Sequence, residues 1–377
     1  MNNLLTIPPL SLYIHYPWCL KKCHYCDFNS HEGEVKTGYI NALIEDLEGD
    51  LKYVQNRAIE SIFIGGGTPS LMSTEDANDL IDGLKERLTF SDNVEITMEA
   101  NPGTFEVEKF AEFRNIGINR LSIGVQSFED RQLKFLGRVH SSNEAINAIT
   151  EAQRVGFKNL NIDLMYGLNG QSIDMCIEDL NKAIELNPSH ISFYQLTLEP
   201  NTLFSKFPPR LPSEEVIWEM GEKGANLLNK KGFRQYEVSA YSTTPSIHNL
   251  NYWTFGDYIG IGAGAHGKIT DMNTNQIFRT LKLKSPNEYL LSFKKNKKTS
   301  RKKMVDSLSF EFMLNGLRLI DGFDSGLYES RTGLSIESVR SQIIKAEKLN
   351  LLDTRDNWIK PTKSGYSFLN ELQEIFL

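Results

Sequence analysis

The sequence predicts an α/β protein, a partial parallel (β/α)6 barrel followed by a small, mainly helical, winged-helix-like C-terminal domain. Three observations carry this. Short apolar, β-branched runs alternate with helix-period stretches from Leu12 to Leu198, an alternation that needs crossover connections and a parallel sheet. Chemistry-bearing residues, namely Cys19, Gly66, Glu99, Gln126 and Asp163, fall at or just beyond the ends of successive runs, and barrels of parallel strands carry their sites on that rim. Beyond Pro200 the alternation stops, with Pro208, Pro209 and Pro212 followed by helical and winged patterns.

Leu12-Tyr13-Ile14-His15-Tyr16 is the first strand and runs into a cysteine-rich loop. Ile40, Leu43, Ile44, Leu47, Leu51 and Val54 then recur at helical spacing between Val35 and Val54. Ser61–Ile64 is a second strand ending in Gly65-Gly66-Gly67-Thr68-Pro69-Ser70, and Ser73 with Asp76 reads as a capping box opening a helix through Leu88. Val94–Met98 ends in Glu99-Ala100-Asn101-Pro102, with a helix through Phe110 and Phe113. Leu121–Val125 ends in Gln126-Ser127-Phe128, and Ser141 with Glu144 caps the next helix. Leu160–Leu164, a helix over Ile173–Leu186 and a sixth strand over His190–Leu198 complete the series.

The helix from Ser213 to Lys231 and a last strand from Arg234 to Tyr241 close a first domain over residues 8–241. Residues 242–295 read as a connecting segment, and 296–377 as the C-terminal domain. The glycines of 256–266 superficially match a dinucleotide fingerprint, but the strand, helix and acidic partner that would support that reading are missing. The basic run Lys294–Lys303 reads as a solvated linker, with a peripheral contact to anionic lipid as its alternative. Helices over Ser309–Leu319 and Ile336–Leu349, a wing at Trp358–Pro361 and a closing helix over Thr362–Phe376 make up the C-terminal domain.

At 377 residues, 40% hydrophobic and 24% charged, the chain is an ordinary globular protein with room for a large core. Its net charge of −7 gives no support to nucleic-acid binding. The start Met1-Asn2-Asn3-Leu4-Leu5 lacks a signal-peptide pattern, and no apolar stretch of about 18 residues is present. The expected location is therefore cytoplasmic.

Three of the 4 cysteines, Cys19, Cys23 and Cys26, fall within one short loop. Thiolates at this spacing close around an iron–sulfur cube and ligate three irons, leaving the fourth open for another ligand. Structural zinc would ask for four closed ligands, and a disulfide for an oxidising compartment. Cys176 shares a helical face with Ile173, Ile177, Leu180 and Ile184 and reads as core.

The C-x3-C-x-aromatic-C pattern, with Tyr25 in the last gap, resembles the radical S-adenosylmethionine (SAM) superfamily. The resemblance implies a [4Fe-4S] cluster on Cys19, Cys23 and Cys26 with SAM chelating the open iron. It also implies a SAM site formed by Tyr13, Gly66, Gly67, Thr68, Glu99, Gln126, Arg138 and Asp163. Within that superfamily, the cysteine loop followed by Gly-Gly-Gly-Thr-Pro-Ser, Glu-Ala-Asn-Pro, Gly-Val-Gln-Ser-Phe and Asp-Leu-Met-Tyr-Gly-Leu resembles the oxygen-independent coproporphyrinogen III oxidase (HemN-like) family across nearly the whole chain. The oxidases of that family carry a longer N-terminal extension and a further cysteine directly after the triad. Here the triad ends Cys26-Asp27-Phe28. Both departures, together with His248-Asn249-Leu250-Asn251-Tyr252-Trp253, are similar to the HemW haem-chaperone branch and its His-Asn-x-x-Tyr-Trp haem motif.

The resemblance implies a haem chaperone that keeps a SAM-liganded cluster, with His248 as a haem ligand and haem-acceptor proteins as partners. The alternative is an enzyme, the radical oxidative decarboxylation of coproporphyrinogen III. A third class is a cluster-bearing scaffold that binds tetrapyrrole without turnover. A homodimer is a further partner state to be tested.

Overall fold

The computed structural model describes residues 4–103, 107–295 and 300–377. Its centre is a twelve-stranded sheet. Six parallel strands, β1 (Leu10–Tyr16), β2 (Ile59–Gly66), β3 (Phe90–Ala100), β4 (Arg120–Gln126), β5 (Asn159–Tyr166) and β6 (His190–Gln195), pair in sequence order. The crossovers carry α1 (Tyr39–Asp50), α2 (Thr74–Lys85), α3 (Phe110–Ile116), α4 (Asp130–Leu136), α5 (Ser142–Arg154) and α6 (Ile173–Glu185). The predicted (β/α)6 architecture is therefore present.

The local chemistry that starts these helices is that of the sequence, with one difference. Ser141 and Glu144 form a reciprocal capping box, whereas Ser73 accepts from the Asp76 N–H without a return bond. The outward strand positions pack against the helices as one core, with Leu12, Ile14, Ile62, Ile64, Met98, Leu121, Ile123, Leu160 and Ile162 buried. At about 25 cal/mol per Å2 of apolar area, this continuous layer supplies most of the drive to fold.

The opposite face of the same strands is polar. Because side chains alternate across a strand, the ladder brings Ser11 beside Ser61, Ser61 beside Glu95, Thr97 beside Arg120, Ser122 beside Asn161 and Asp163 beside Ser192. This polar face lines the barrel interior.

After α7 (Glu214–Lys230), the stretch read as one strand over Arg234–Tyr241 is a hairpin of two short antiparallel strands, β7 (Arg234–Gln235) and β8 (Ala240–Ser242). Residues Glu237 to Ser239 turn the chain, with both the N–H and the hydroxyl of Ser239 donating to Glu237. Helix α8 (Ile247–Trp253) then enters the barrel, and β9 (Asp257–Ile261) lies parallel to β1 on its free side. Three antiparallel strands continue the sheet, β10 (His266–Asp271), β11 (Gln276–Lys282) and, after α9 (Pro286–Lys294), β12 (Ser300–Met304). The glycines of 256–266 thus serve close strand packing, since a Cβ on Gly260 would lie 1.9 Å from the His266 carbonyl oxygen. Within the basic run, residues 296–299 lie outside the described residues. The remainder is no simple linker: Lys294 and Lys295 end α9, and Ser300–Lys303 lie in an edge strand whose charge disfavours further strand addition.

The C-terminal part has its own core of Phe312, Met313, Leu317, Tyr328, Ile343, Leu352, Ile359 and Leu372. It is built from α10 (Leu308–Gly316), β13 (Phe323–Asp324), α11 (Ser325–Thr332), α12 (Arg340–Lys348), β14 (Leu352–Arg355), β15 (Trp358–Pro361), α13 (Lys363–Ser367) and α14 (Leu369–Glu374). The three strands form the wing, and the single closing helix read from the sequence is broken at Phe368.

Candidate cofactor cavity

The C-terminal rim of the barrel opens into a cavity of about 430 Å3 lined by all three loop cysteines. Trp18–Cys19 pairs with His31–Glu32 to close the loop's base, and the Gly67 and Thr68 N–H groups donate to the carbonyls of Tyr16 and Trp18 at 2.7 Å each. The glycines are needed for this approach. A Cβ on Gly67 would stand 2.5 Å from the Trp18 carbonyl oxygen, and Gly66, at φ +118°, would place one 2.6 Å from the His15 ring. On the far side His24 fixes the loop to α4, its N–H donating to Leu136 O at 3.0 Å and its Nδ1 bonding to Phe135 O at 2.9 Å.

Cys19 is buried, and Cys23 and Cys26 are half-buried. Arg138 Nη1 donates to Cys23 Sγ at 3.4 Å, and Cys26 Sγ lies 3.7 Å from Ser30 Oγ. Burial pushes the Cys19 and Cys26 thiols up. No three His, Cys, Asp or Glu side chains converge around a single-ion position among the described residues. An iron–sulfur cube spreads its thiolates over three irons, so its ligands need not meet at one point. Three thiols on one loop, facing one cavity and supported by a cation and a hydroxyl, fit a cluster. Cys176 is buried in α6, outside this group.

Seven of the eight residues expected to hold SAM line the cavity: Gly66, Gly67, Thr68, Glu99, Gln126, Arg138 and Asp163. Tyr13 is not among the lining residues; its hydroxyl bonds to His15 Nδ1 at 2.9 Å and its ring stacks on Phe63. Glu99 Oε2 accepts from the Gly66 N–H at 2.9 Å. Burial, opposed by that bond and reinforced by Asp163, pushes the Glu99 carboxyl up to about 7. Burial also raises Asp163, which accepts from Asn161 Nδ2 at 2.8 Å. Gln126 sits at a bulge in the β4–β5 ladder with φ +73°, a costly conformation for a non-glycine residue, and accepts from Tyr194 at 2.7 Å. Arg138 is committed to the loop, its Nη2 donating to Asn101 Oδ1 and to Gly124 O at 2.6 Å.

The expected haem residue lies elsewhere. His248 is 1% exposed in α8, the helix that plugs the other end of the barrel. Its Nδ1 shares a 2.9 Å hydrogen bond with Ser61 Oγ, its ring stacks on Phe63 at 5.0 Å, and Nε2 has no hydrogen-bond partner among the described residues. Burial, with Arg120 adding to it, holds the imidazole down at about 3, so it is neutral at ordinary pH. Glu95 anchors the helix by accepting from Ser246 Oγ at 2.9 Å, from the His248 N–H at 3.1 Å and from the Ile247 N–H at 3.2 Å. Asn249 of the same helix forms part of the cavity floor, with Arg120, Ser122, Asn161 and Ser192. Sequence reading missed Arg120, Ser122, Asn161 and Ser192, and read Asn249 only as part of the haem motif. The signal was the alternation of polar with apolar positions through Arg120-Leu121-Ser122-Ile123 and Asn159-Leu160-Asn161-Ile162-Asp163.

A partial parallel barrel with a three-cysteine loop at its rim, beside a glycine turn, defines a radical SAM protein. In keeping with this, the radical SAM superfamily matches residues 13–183, and the HemN C-terminal domain matches residues 306–368. The chain is 45% identical to the heme chaperone HemW of Escherichia coli (strain K12), covering 99% of this chain and 100% of that protein. It is 46% identical to the heme chaperone HemW of Haemophilus influenzae, over 98% of each. The chain belongs to the HemW haem-chaperone family. Among solved structures, coproporphyrinogen III oxidase (HemN) from Escherichia coli superposes with a TM-score of 0.83 at 21% identity, over 98% of this chain and 90% of that one, a likeness of fold. No helix among the described residues is long and apolar enough to cross a membrane.

Proposed function

We propose that the protein is a haem chaperone that binds haem and a SAM-liganded [4Fe-4S] cluster and hands haem to acceptor proteins. The full-length identity to two heme chaperones is the observation that carries this reading. When bound, the cluster supplies an open iron for SAM and a redox centre. In this reading Cys19, Cys23 and Cys26 hold the cluster, and Arg138 keeps Cys23 and the loop in place. Gly66, Gly67 and Thr68 bring backbone against the ligand, Glu99 accepts from its ammonium or ribose hydroxyls, and Gln126 and Asp163 complete the rim. Tyr13 acts behind the rim by orienting His15.

His248 Nε2 is the proposed axial donor to haem iron. The neutral imidazole needs no deprotonation to ligate. With His248 buried under Phe63, ligation requires that ring or α8 to move first. Haem acceptors are the proposed partners; a lipid contact of the basic strand and a homodimer are separate proposals that sedimentation with anionic vesicles and analytical ultracentrifugation would test. The function itself is tested by loading the anaerobically reconstituted protein with haem and following haem transfer to an apo-protein. Failure to bind haem, with conversion of coproporphyrinogen III by the same preparation, would favour the oxidase instead.

A further inference from the structure

The floor of the barrel cavity holds a cation that the rim chemistry does not use. Arg120 is 2% exposed, starts β4 and lines the cavity. A guanidinium carries five N–H donors, and a buried one normally spends them on acceptors. Among the described residues Nη1 donates a single long bond of 3.5 Å to Thr97 Oγ1, and Nε has no hydrogen-bond partner. Glu95, its nearest carboxylate, stands 4.0 Å from Nε. That carboxylate is already occupied, since its two oxygens accept from Ser246, Ile247 and His248 and, at 3.5 Å, from Asn159 Nδ2. Asp163, on the same wall, is taken up by Asn161 and Ser122. Among the described residues, then, charge lies near Arg120, but no acceptor is placed to meet its fork.

The neighbours are suited to a ligand. Ser122, Asn161, Ser192 and Asn249 are short neutral side chains that line the same space. Arg120 and Gln126 are six positions apart on β4, on the order of 20 Å at about 3.3 Å per residue, and between them Ser122 and Asn161 hydrogen bond to Asp163. Floor and rim are therefore the lower and upper parts of one continuous cavity. A planar guanidinium with free parallel donors matches a carboxylate bidentately.

We infer that the barrel floor is a carboxylate-binding compartment anchored by Arg120, a subsite beneath the rim residues and away from the cluster loop. Within the proposed function the carboxylate is a propionate of haem, since the aminoacyl end of SAM is committed to the open iron at the rim. The inference therefore rests on the haem reading.

The test compares haem with its carboxylate-free counterpart. Calorimetry on the full, anaerobically reconstituted chain would measure haem against haem dimethyl ester for the wild type, Arg120→Gln and Arg120→Lys. The expected result is that the wild type prefers haem over the ester by tenfold or more. Arg120→Gln removes that preference while the ester binds within about twofold of the wild type, and Arg120→Lys keeps part of it. Failure of the wild type to bind either form would overturn the haem reading and this inference with it. Binding without a preference, a preference that survives in Arg120→Gln, or equal weakening of acid and ester would each overturn the inference alone. The last of these would make Arg120 a structural counter-charge to Glu95.

Discussion

Ser61 on the second barrel strand and His248 on the plugging helix share a 2.9 Å hydrogen bond inside the barrel. The bond ties the haem-motif helix to the same sheet that carries the cluster loop at its other end. It leaves Nε2 as the free nitrogen, beneath the ring of Phe63.

Haem association should therefore be gated. In stopped-flow mixing the observed rate should level off with haem concentration, because movement of Phe63 or α8 precedes ligation. Phe63→Ala should raise the plateau. His248→Ala should weaken and shift the Soret band, whereas Ser61→Ala should keep the band position. A rate linear in haem and indifferent to Phe63 would remove the gate, and an unchanged Soret band in His248→Ala would remove the ligand.

Glu99 ties SAM binding to pH. Its carboxyl titrates at about 7 in the folded protein, and a cationic ammonium pairs with the ionised form. SAM affinity should rise as pH passes through 7 and fall by roughly tenfold per unit below it. In Glu99→Gln the profile should be flat. The stability sign is opposite: a carboxyl raised above its unfolded value stabilises below about 4.5, and that contribution is lost as pH rises through 7. Glu99→Gln should accordingly be more stable than the wild type at pH 8 but not at pH 4, which urea unfolding at the two pH values will read.

The cluster loop separates its cysteines from the remaining one. Cys23→Ala should abolish the iron–sulfur absorbance after anaerobic reconstitution, and Cys176→Ala should retain full iron and sulfide. Loss of iron in Cys176→Ala would mean a fourth protein ligand. Arg138→Gln, which removes the donor to Cys23 and the ties to Asn101 and Gly124, should lower cluster retention on gel filtration without abolishing assembly.

Gly66→Ala joins two penalties, a residue at φ +118° and a Cβ against the His15 ring. It should cost about 1–3 kcal/mol of stability. Cluster content should also fall, because the His15 ring is hydrogen bonded to the Asn29 carbonyl in the loop. Wild-type stability and cluster content in this variant would show that the turn has slack.

The barrel and its rim were legible because each strand is a short apolar run closed by a turn, and because strand ends carry the polar residues. Two features were hidden by their own chemistry. β9 contains Gly260 and runs into Gly262 and Gly264, so it reads as a glycine loop; only its pairing with β1 makes it a strand. Helix α8 has the aromatic and amide composition of a binding motif, and nothing local indicates that Glu95, some 150 positions earlier, caps it inside the barrel. Arg120 was overlooked because a polar interior face looks, residue by residue, like noise within an apolar strand.

Haem transfer tests the central claim most directly. The reconstituted, haem-loaded wild type and its His248→Ala variant should be mixed with an apo-haemoprotein and the acceptor's Soret spectrum followed. The proposed function predicts that the wild type binds haem with a defined band and passes it to the acceptor, and that His248→Ala does so poorly or not at all. A wild type that neither retains nor transfers haem, or a variant that transfers it equally well through an unchanged complex, would contradict it.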